Sequence, residues 1–300
     1  MKRVGHFWNI CGIGGLLARY LDAEFPGEYQ SVAVDRGHAD VYSQNNEKTL
    51  VWDNSAKVWL AKCFLYARKL DIIHVHVGVQ WLPYYRNLYP GKKLVIHVHG
   101  SKIRGRWDKE PNVGLADGIL VSTPDLLEGA PEGSVYLPNP IDEELIARVK
   151  YGLALEGTEM KQGAFHVDRY ASDIAKEYAE ANGLDLTIFN RDETPLPHPE
   201  FLKLMGQHEF YINVERSRFL QELDSHEVYV DVKRDFPGYA YENKVLEAFS
   251  LTGLEALALG CRVIDWKGDI HEGLPQEHTG KEIAKTLNEF YQKMEETPNE

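Results

Sequence analysis

No Asp-x-Asp pair occurs anywhere in the 300 residues, so the chain lacks a common holder of a hard divalent cation at a phosphate. It also has no Walker lysine loop and no Gly-x-Ser-x-Gly elbow, which removes the usual supports for phosphotransfer from ATP and for serine hydrolysis. Cysteine is scarce. Cys11, Cys63 and Cys261 lie far apart and are odd in number, a pattern that offers neither a disulfide nor a zinc framework and fits a reducing compartment. No basic run offsets the net charge of −13, so a nucleic-acid backbone is not an expected partner. No apolar run approaches a membrane span, and the start Met1-Lys-Arg-Val-Gly-His-Phe-Trp8 turns polar and Gly-rich too soon for a signal peptide. A cytoplasmic location is expected, and no basic amphipathic helix is evident.

What is present is an ordinary globular composition, 43% hydrophobic, in a chain long enough for two domains. The first half alternates short apolar runs with amphipathic ones. Strands are expected at Val4 to Ile10, Ser31 to Val34, Ile72 to Val77, Leu94 to Val98 and Asp117 to Ser122. Helices are expected at Gly14 to Phe25, Ala56 to Leu70 and Leu82 to Tyr89, with an irregular stretch before Ser55. Such alternation implies a parallel sheet covered on both faces, with ligands at the carboxyl ends of its strands. In the second half, strands are expected at Ala164 to Val167, Asp185 to Phe189, Glu209 to Val214 and Val228 to Val232. Tyr170 to Asn182 and Glu277 to Glu295 read as helices, and Arg191 to Pro199 as a proline-stiffened loop.

The expected strand ends carry the polar residues of the first half. Asn9-Ile-Cys-Gly12-Ile-Gly14-Gly15 follows the first strand, and its glycines permit close approach of backbone to a ligand. Asp35 ends the next strand, as in a dinucleotide fingerprint, but the third small position falls on Leu17, so the match is incomplete. His74-Val-His76 and His97-Val-His99-Gly100 close two further strands. Alternate residues share a face, so each pair presents two imidazoles together. Without a carboxylate to complete a ligand set, hydrogen-bonded structural imidazoles are favoured over a metal, and no metal ligand is assigned. Arg104 and Arg106 fit either an acceptor-lining role or a solvated loop.

The densest pattern runs from Glu247-Ala-Phe-Ser-Leu-Thr-Gly-Leu-Glu255 through Gly260 to Val263-Ile264. It reads as loop, helix and buried strand, with Gly260 ending the helix. A helix start offers unpaired N–H groups and partial positive charge, so Ser250, Leu251, Thr252, Gly253 and Leu254 form a candidate diphosphate site. A carboxylate such as Glu255 would repel phosphate but accepts from two neutral hydroxyls, as on a ribose. Thr252-x-x-Glu255 also fits a capping box, in which Glu255 merely bonds its own helix start.

This stretch resembles the signature of the family-four retaining glycosyltransferases, whose GT-B architecture has two Rossmann-like domains with parallel sheets facing a cleft. The resemblance implies that Glu247 lies by the donor sugar and that Glu255 holds the ribose. It also implies that His99, followed by Gly100, faces the reacting sugar, and that the Gly14–Gly15 loop shapes the cleft. Val135-Tyr-Leu-Pro-Asn-Pro-Ile-Asp142 is similar to that family's hinge, which gives domains at 1–142 (acceptor side) and 143–300 (donor side), with the helix 277–295 packing back on the first. Several positions depart from the family. Its Gly-Arg and Lys-Gly diphosphate clamp is not visible, which leaves Arg191 and Lys233, with Arg169 and Arg234, as substitutes, and Ser250 and Arg262 stand where Gly and Pro are usual.

The expected function is retaining, metal-independent transfer from a nucleoside diphosphate sugar, with no separate cofactor. The acceptor is an unknown carbohydrate, small molecule or lipid-linked molecule, the last of which would entail peripheral membrane contact. A nucleotide-sugar epimerase, a dinucleotide-dependent enzyme and a catalytically silent sugar-nucleotide binding protein are the alternatives.

Overall fold

The computed structural model describes residues 1–36, 46–99, 103–104, 107–158, 161–168, 171–191, 193–214 and 247–296. The chain divides into two compact units, Met1–Glu143 with Pro275–Glu300, and Glu144–Leu274.

Unit 1 contains β1 (Lys2–Phe7), α1 (Ile13–Glu24), β2 (Tyr29–Asp35), β3 (Thr49–Val51), α2 (Ala56–Ala67), β4 (Ile72–His76), α3 (Leu82–Leu88), β5 (Lys93–Val98), β6 (Gly118–Val121) and β7 (Val135–Tyr136). All seven strands run parallel in the order β3-β2-β1-β4-β5-β6-β7. The order reverses between β1 and β4, so the crevice beyond their carboxyl ends is the switch point where open α/β sheets bind ligands. The backbone is strained there. Trp8 (φ 65°), Cys11 (φ 49°) and Val77 (φ 51°) are the non-glycine residues with positive φ among those described, and a β-branched valine adopts that conformation only at a cost.

The sheet buries both faces, as a parallel sheet must. On one face Phe7, Ile73, Val75 and Ile96 pack with Trp59 and Tyr85. On the other, Val4, Ile72 and Val95 pack with Leu17 and Leu21 of α1 and with Ile283, Leu287 and Tyr291 of the last helix of the chain (Gly280–Glu296). Tyr20 Oη donates to the Ile141 carbonyl at 2.6 Å, and Arg19 pairs with Asp142 at 2.8 Å, which fixes the 135–142 segment to α1.

Unit 2 contains α4 (Glu143–Leu155, whose first residue belongs to unit 1), β8 (Lys161–Val167), α5 (Ser172–Ala181), β9 (Leu186–Phe189), α6 (His198–Met205), β10 (His208–Ile212), α7 (Leu251–Leu259), β11 (Arg262–Ile264) and β12 (Ile270–His271); the final helix of unit 1 is α8. The sheet order is β12-β11-β10-β8-β9, parallel except for β12, which runs antiparallel to β11. The fold is of the α/β class expected from the alternating pattern. The structure adds α4, α6, β3 and β12, none of which the apolar periodicity marked. The expected strand at Val228 to Val232 lies outside the described residues. Among those residues no helix is long and apolar enough to cross a membrane.

Candidate functional site

In unit 2 the start of α7 is built by Ser250 and Asn213. The Ser250 hydroxyl accepts from the Gly253 N–H at 3.0 Å and donates to Asn213 Oδ1 at 2.8 Å. Asn213, buried just past β10, also accepts from the Ser250 N–H at 3.1 Å and donates to the Ala248 carbonyl at 3.2 Å. This network explains Gly253, because a Cβ there would collide with Asn213 Oδ1. Ser250, not Thr252, is therefore the N-cap, and Glu255 sits fifth in the helix, beyond the first turn and outside any capping box. Among the described residues the Leu251 and Thr252 N–H groups are the first-turn donors left over.

Arg191 reaches the same place. Its Nη2 donates to Thr252 Oγ1 at 3.3 Å, and its guanidinium lies 4.4 Å from the centre of the Phe201 ring. A stacked guanidinium is held in orientation and presents its edge. Two leftover amides, a helix-end dipole and an oriented guanidinium together make an anion-receiving corner. Lys233, Arg234 and Arg169 lie outside the described residues.

Glu255 is only 2% exposed, and its Oε1 is 2.9 Å from His198 Nε2 at the start of α6. The expected loop at Arg191 to Pro199 thus ends in a helix whose first residue partners the candidate ribose ligand. Glu247 stands before α7 and is exposed.

Unit 1 holds a different kind of site. On the sheet face toward α1 and α8, the residues after Val4, Ile72 and Val95 at a spacing of two are His6, His74 and His97, and His76 and His99 extend the same rows. Four of these imidazoles are fully buried and His99 partly so. His6 Nδ1 lies 3.1 Å from His76 Nε2, His76 Nδ1 lies 2.8 Å from His99 Nε2, and His99 Nδ1 lies 2.8 Å from Asn139 Oδ1. The Asn139 oxygen accepts, so His99 donates to it through Nδ1–H. Each ring back along the chain must then donate through Nδ1 and accept through Nε2. His74 Nδ1 lies 2.7 Å from Tyr291 Oη. Burial lowers every one of these pKa values, His6 to about 3 and His99 to about 4, so the rings are neutral near pH 7.

Both ring nitrogens of His99 are therefore engaged inside unit 1, and it presents a ring edge rather than a free nitrogen. Gly14 and Gly15 are also occupied by protein. A Cβ at Gly14 would stand 2.9 Å from His6 Cβ and 3.3 Å from His76 Nε2, and one at Gly15 would stand 2.7 Å from Thr49 Oγ1. The Gly15 N–H donates to Asn9 Oδ1 at 3.1 Å. The small size of Gly14 lets α1 close onto the histidine rows, and that of Gly15 lets it close onto Thr49 and Asn46. Arg104 pairs with Asp125, and Gly100 and Arg106 lie outside the described residues. The sequence reading missed Asn213, His198 and His6; none belongs to a motif, and each is recognisable only once the strands are in register.

No protein-family model and no curated protein matches the chain. Solved structures do match. The UDP-GlcNAc 2-epimerase from Methanocaldococcus jannaschii superposes with a TM-score of 0.50 at 11% identity, over 96% of this chain and 100% of that one. An alpha-glucosyltransferase in complex with UDP-glucose and DNA containing an abasic site superposes with a TM-score of 0.52 at 13% identity, over 98% and 90%. The same enzyme type with UDP and a 13-mer DNA gives 0.50 at 12% identity, over 98% and 90%. At such identities the likeness is one of fold, the GT-B fold.

Proposed function

We propose that this chain is a glycosyltransferase that takes a sugar from a nucleoside diphosphate donor held by unit 2. The observation that carries the reading is the start of α7, where the Leu251 and Thr252 amides and the Arg191 guanidinium converge on one corner. In the reaction the bond from the anomeric carbon to the diphosphate oxygen breaks, and negative charge builds on the departing diphosphate. Amides and a guanidinium fixed in advance stabilise that charge without reorganisation. Glu247, exposed before the helix, orients the sugar through its hydroxyls, and Glu255 accepts from the ribose. Its bond to His198 sets the direction of its second oxygen. Unit 1 supplies the acceptor side, with His99 as a wall of fixed orientation. Retention of configuration and independence of added magnesium or manganese belong to the same proposal, since the corner supplies its positive charge from the protein. The acceptor is a carbohydrate, a small molecule or a lipid-linked one.

The test is to incubate the full chain with sugar nucleotides and candidate acceptors without added divalent cation, and to follow nucleoside diphosphate release and product stereochemistry. Acceptor-dependent release with retention supports the reading. A second reading, epimerisation of the donor sugar, draws on a UDP-GlcNAc 2-epimerase neighbour that is matched over its whole length. Conversion of the donor to its epimer without any acceptor, seen by proton NMR, would replace transfer by epimerisation.

A further inference from the structure

We propose that His76, His97 and His99 form a binding site for an imidazole-preferring divalent metal ion of the zinc or cobalt class. One donor atom from each of the three lies within 4.8 Å of the others. Strand-end imidazoles are usually hydrogen-bonded structural groups. His97 does not fit that explanation. It is fully buried, the Leu137 backbone is its polar neighbour, and neither ring nitrogen makes a hydrogen bond of ordinary length and angle among the described residues. An orphaned buried polar atom costs on the order of 1–3 kcal/mol, which an apolar side chain of similar size would avoid.

The surrounding contacts are those a metal ligand needs. A ligating imidazole usually engages its other nitrogen with an outer partner, which fixes the ring. His99 does so through Nδ1 and Asn139, which turns Nε2 inward, and His76 does so through Nε2 and His6, which turns Nδ1 inward. The two inward atoms face each other at 2.8 Å. Two nitrogens bound to one tetrahedral ion at about 2.0–2.1 Å stand roughly 3.3 Å apart. A shift of about half an ångström, with the His76 proton moved from Nδ1 to Nε2 so that it donates to His6 Nδ1, and the His6 proton moved to His6 Nε2, converts the observed pair into two neutral ligands with no net loss of a proton, and His97 supplies the third.

The three imidazoles leave a fourth position for water or an anion, and His99 is the member that meets solvent. An all-nitrogen set disfavours magnesium and manganese, so the site is distinct from any cation at a diphosphate. The competing triad His6, His74 and His76 shares His76 and is buried throughout. It lacks a solvent-facing member, and Tyr291 already holds His74.

The inference is independent of the sugar-transfer reading. Its test is a titration of the chelator-stripped full chain with Co2+, read by the ligand-field absorption of tetrahedral cobalt and by displacement with Zn2+. One cobalt per chain with that spectrum is expected, together with a zinc-dependent rise in melting temperature. His97→Leu should lose the spectrum and the zinc-dependent rise, while melting no lower than the parent without metal. His97→Gln serves as a second variant with the same expected loss of cobalt binding. Absence of stoichiometric binding in the parent, or a tetrahedral spectrum that persists in the folded His97 variants, overturns the proposal.

Discussion

The two units handle polar groups at their strand ends in opposite ways. Unit 2 brings charge to a helix start, with Arg191 at Thr252 and Glu255 against His198. Unit 1 collects five imidazoles that burial keeps neutral, three of which, His6, His76 and His99, are linked in a row that ends on Asn139. A charged corner suits an anionic donor, because pre-oriented donors favour negative charge most where water is excluded. The neutral cluster suits orientation and metal ligation and cannot itself compensate a diphosphate. On that contrast the proposed donor belongs with unit 2 by chemistry.

Substitutions sharpen that contrast, starting with the largest expected effect. Glu247→Ala should lower turnover by about ten- to a thousandfold while nucleoside diphosphate binding stays near that of the parent, as for loss of a hydrogen bond made in the transition state. Steady-state rates alongside calorimetric binding check it, and full turnover would leave Glu247 a solvated loop residue. Glu255→Gln should weaken nucleotide binding by about 1.5 to 3 kcal/mol, since an amide cannot accept from two hydroxyls as a carboxylate does. Because Glu255 also meets His198, its melting temperature should fall too. A double-mutant cycle with His198→Ala tests that link, with a coupling of about 0.5–3 kcal/mol expected for the pair in stability and in nucleotide affinity, because His198 orients the carboxylate. Gly253→Ala should destabilise the fold by roughly 1–3 kcal/mol through its clash with Asn213, the cost of forcing extra volume into a packed site, read by urea denaturation. The smallest expected effect is on the cation side, where adding Mg2+ or Mn2+ should leave the transfer rate unchanged. A strict requirement for either would show that the corner at α7 does not supply the charge by itself.

Unit 1 was the more legible in sequence, because its strands are short apolar runs separated by amphipathic helices. β3 escaped because it is a three-residue edge strand with two exposed positions. α4 escaped because Ile146 is its one fully buried side chain, which leaves little periodic signal. α6 was hidden by prolines that read as a stiff loop, although Pro199 falls in its first turn, where the missing N–H costs nothing. That helix matters for the proposed donor site, since it delivers His198 to Glu255. The helix start of α7 was visible from Ser250 and Gly260, but a capping box on Thr252 is two residues out of step with the observed N-cap, Ser250. Of the three strands that carry the unit 1 histidine cluster, two announced themselves as His-x-His pairs. His6 did not, because its meeting with His76 depends on a register between β1 and β4 that no local pattern encodes.

The central claim, that the corner formed by α7 and Arg191 receives a nucleoside diphosphate, is tested most directly by calorimetric titration of the full chain and of Arg191→Ala with UDP and other nucleoside diphosphates, with NAD as a comparison. Saturable binding of one nucleoside diphosphate per chain, weakened about tenfold or more in a variant that melts like the parent, is the predicted result, as expected for loss of a charge-assisted contact. Equal affinity in parent and variant, or binding of NAD in preference to every nucleoside diphosphate, would contradict it.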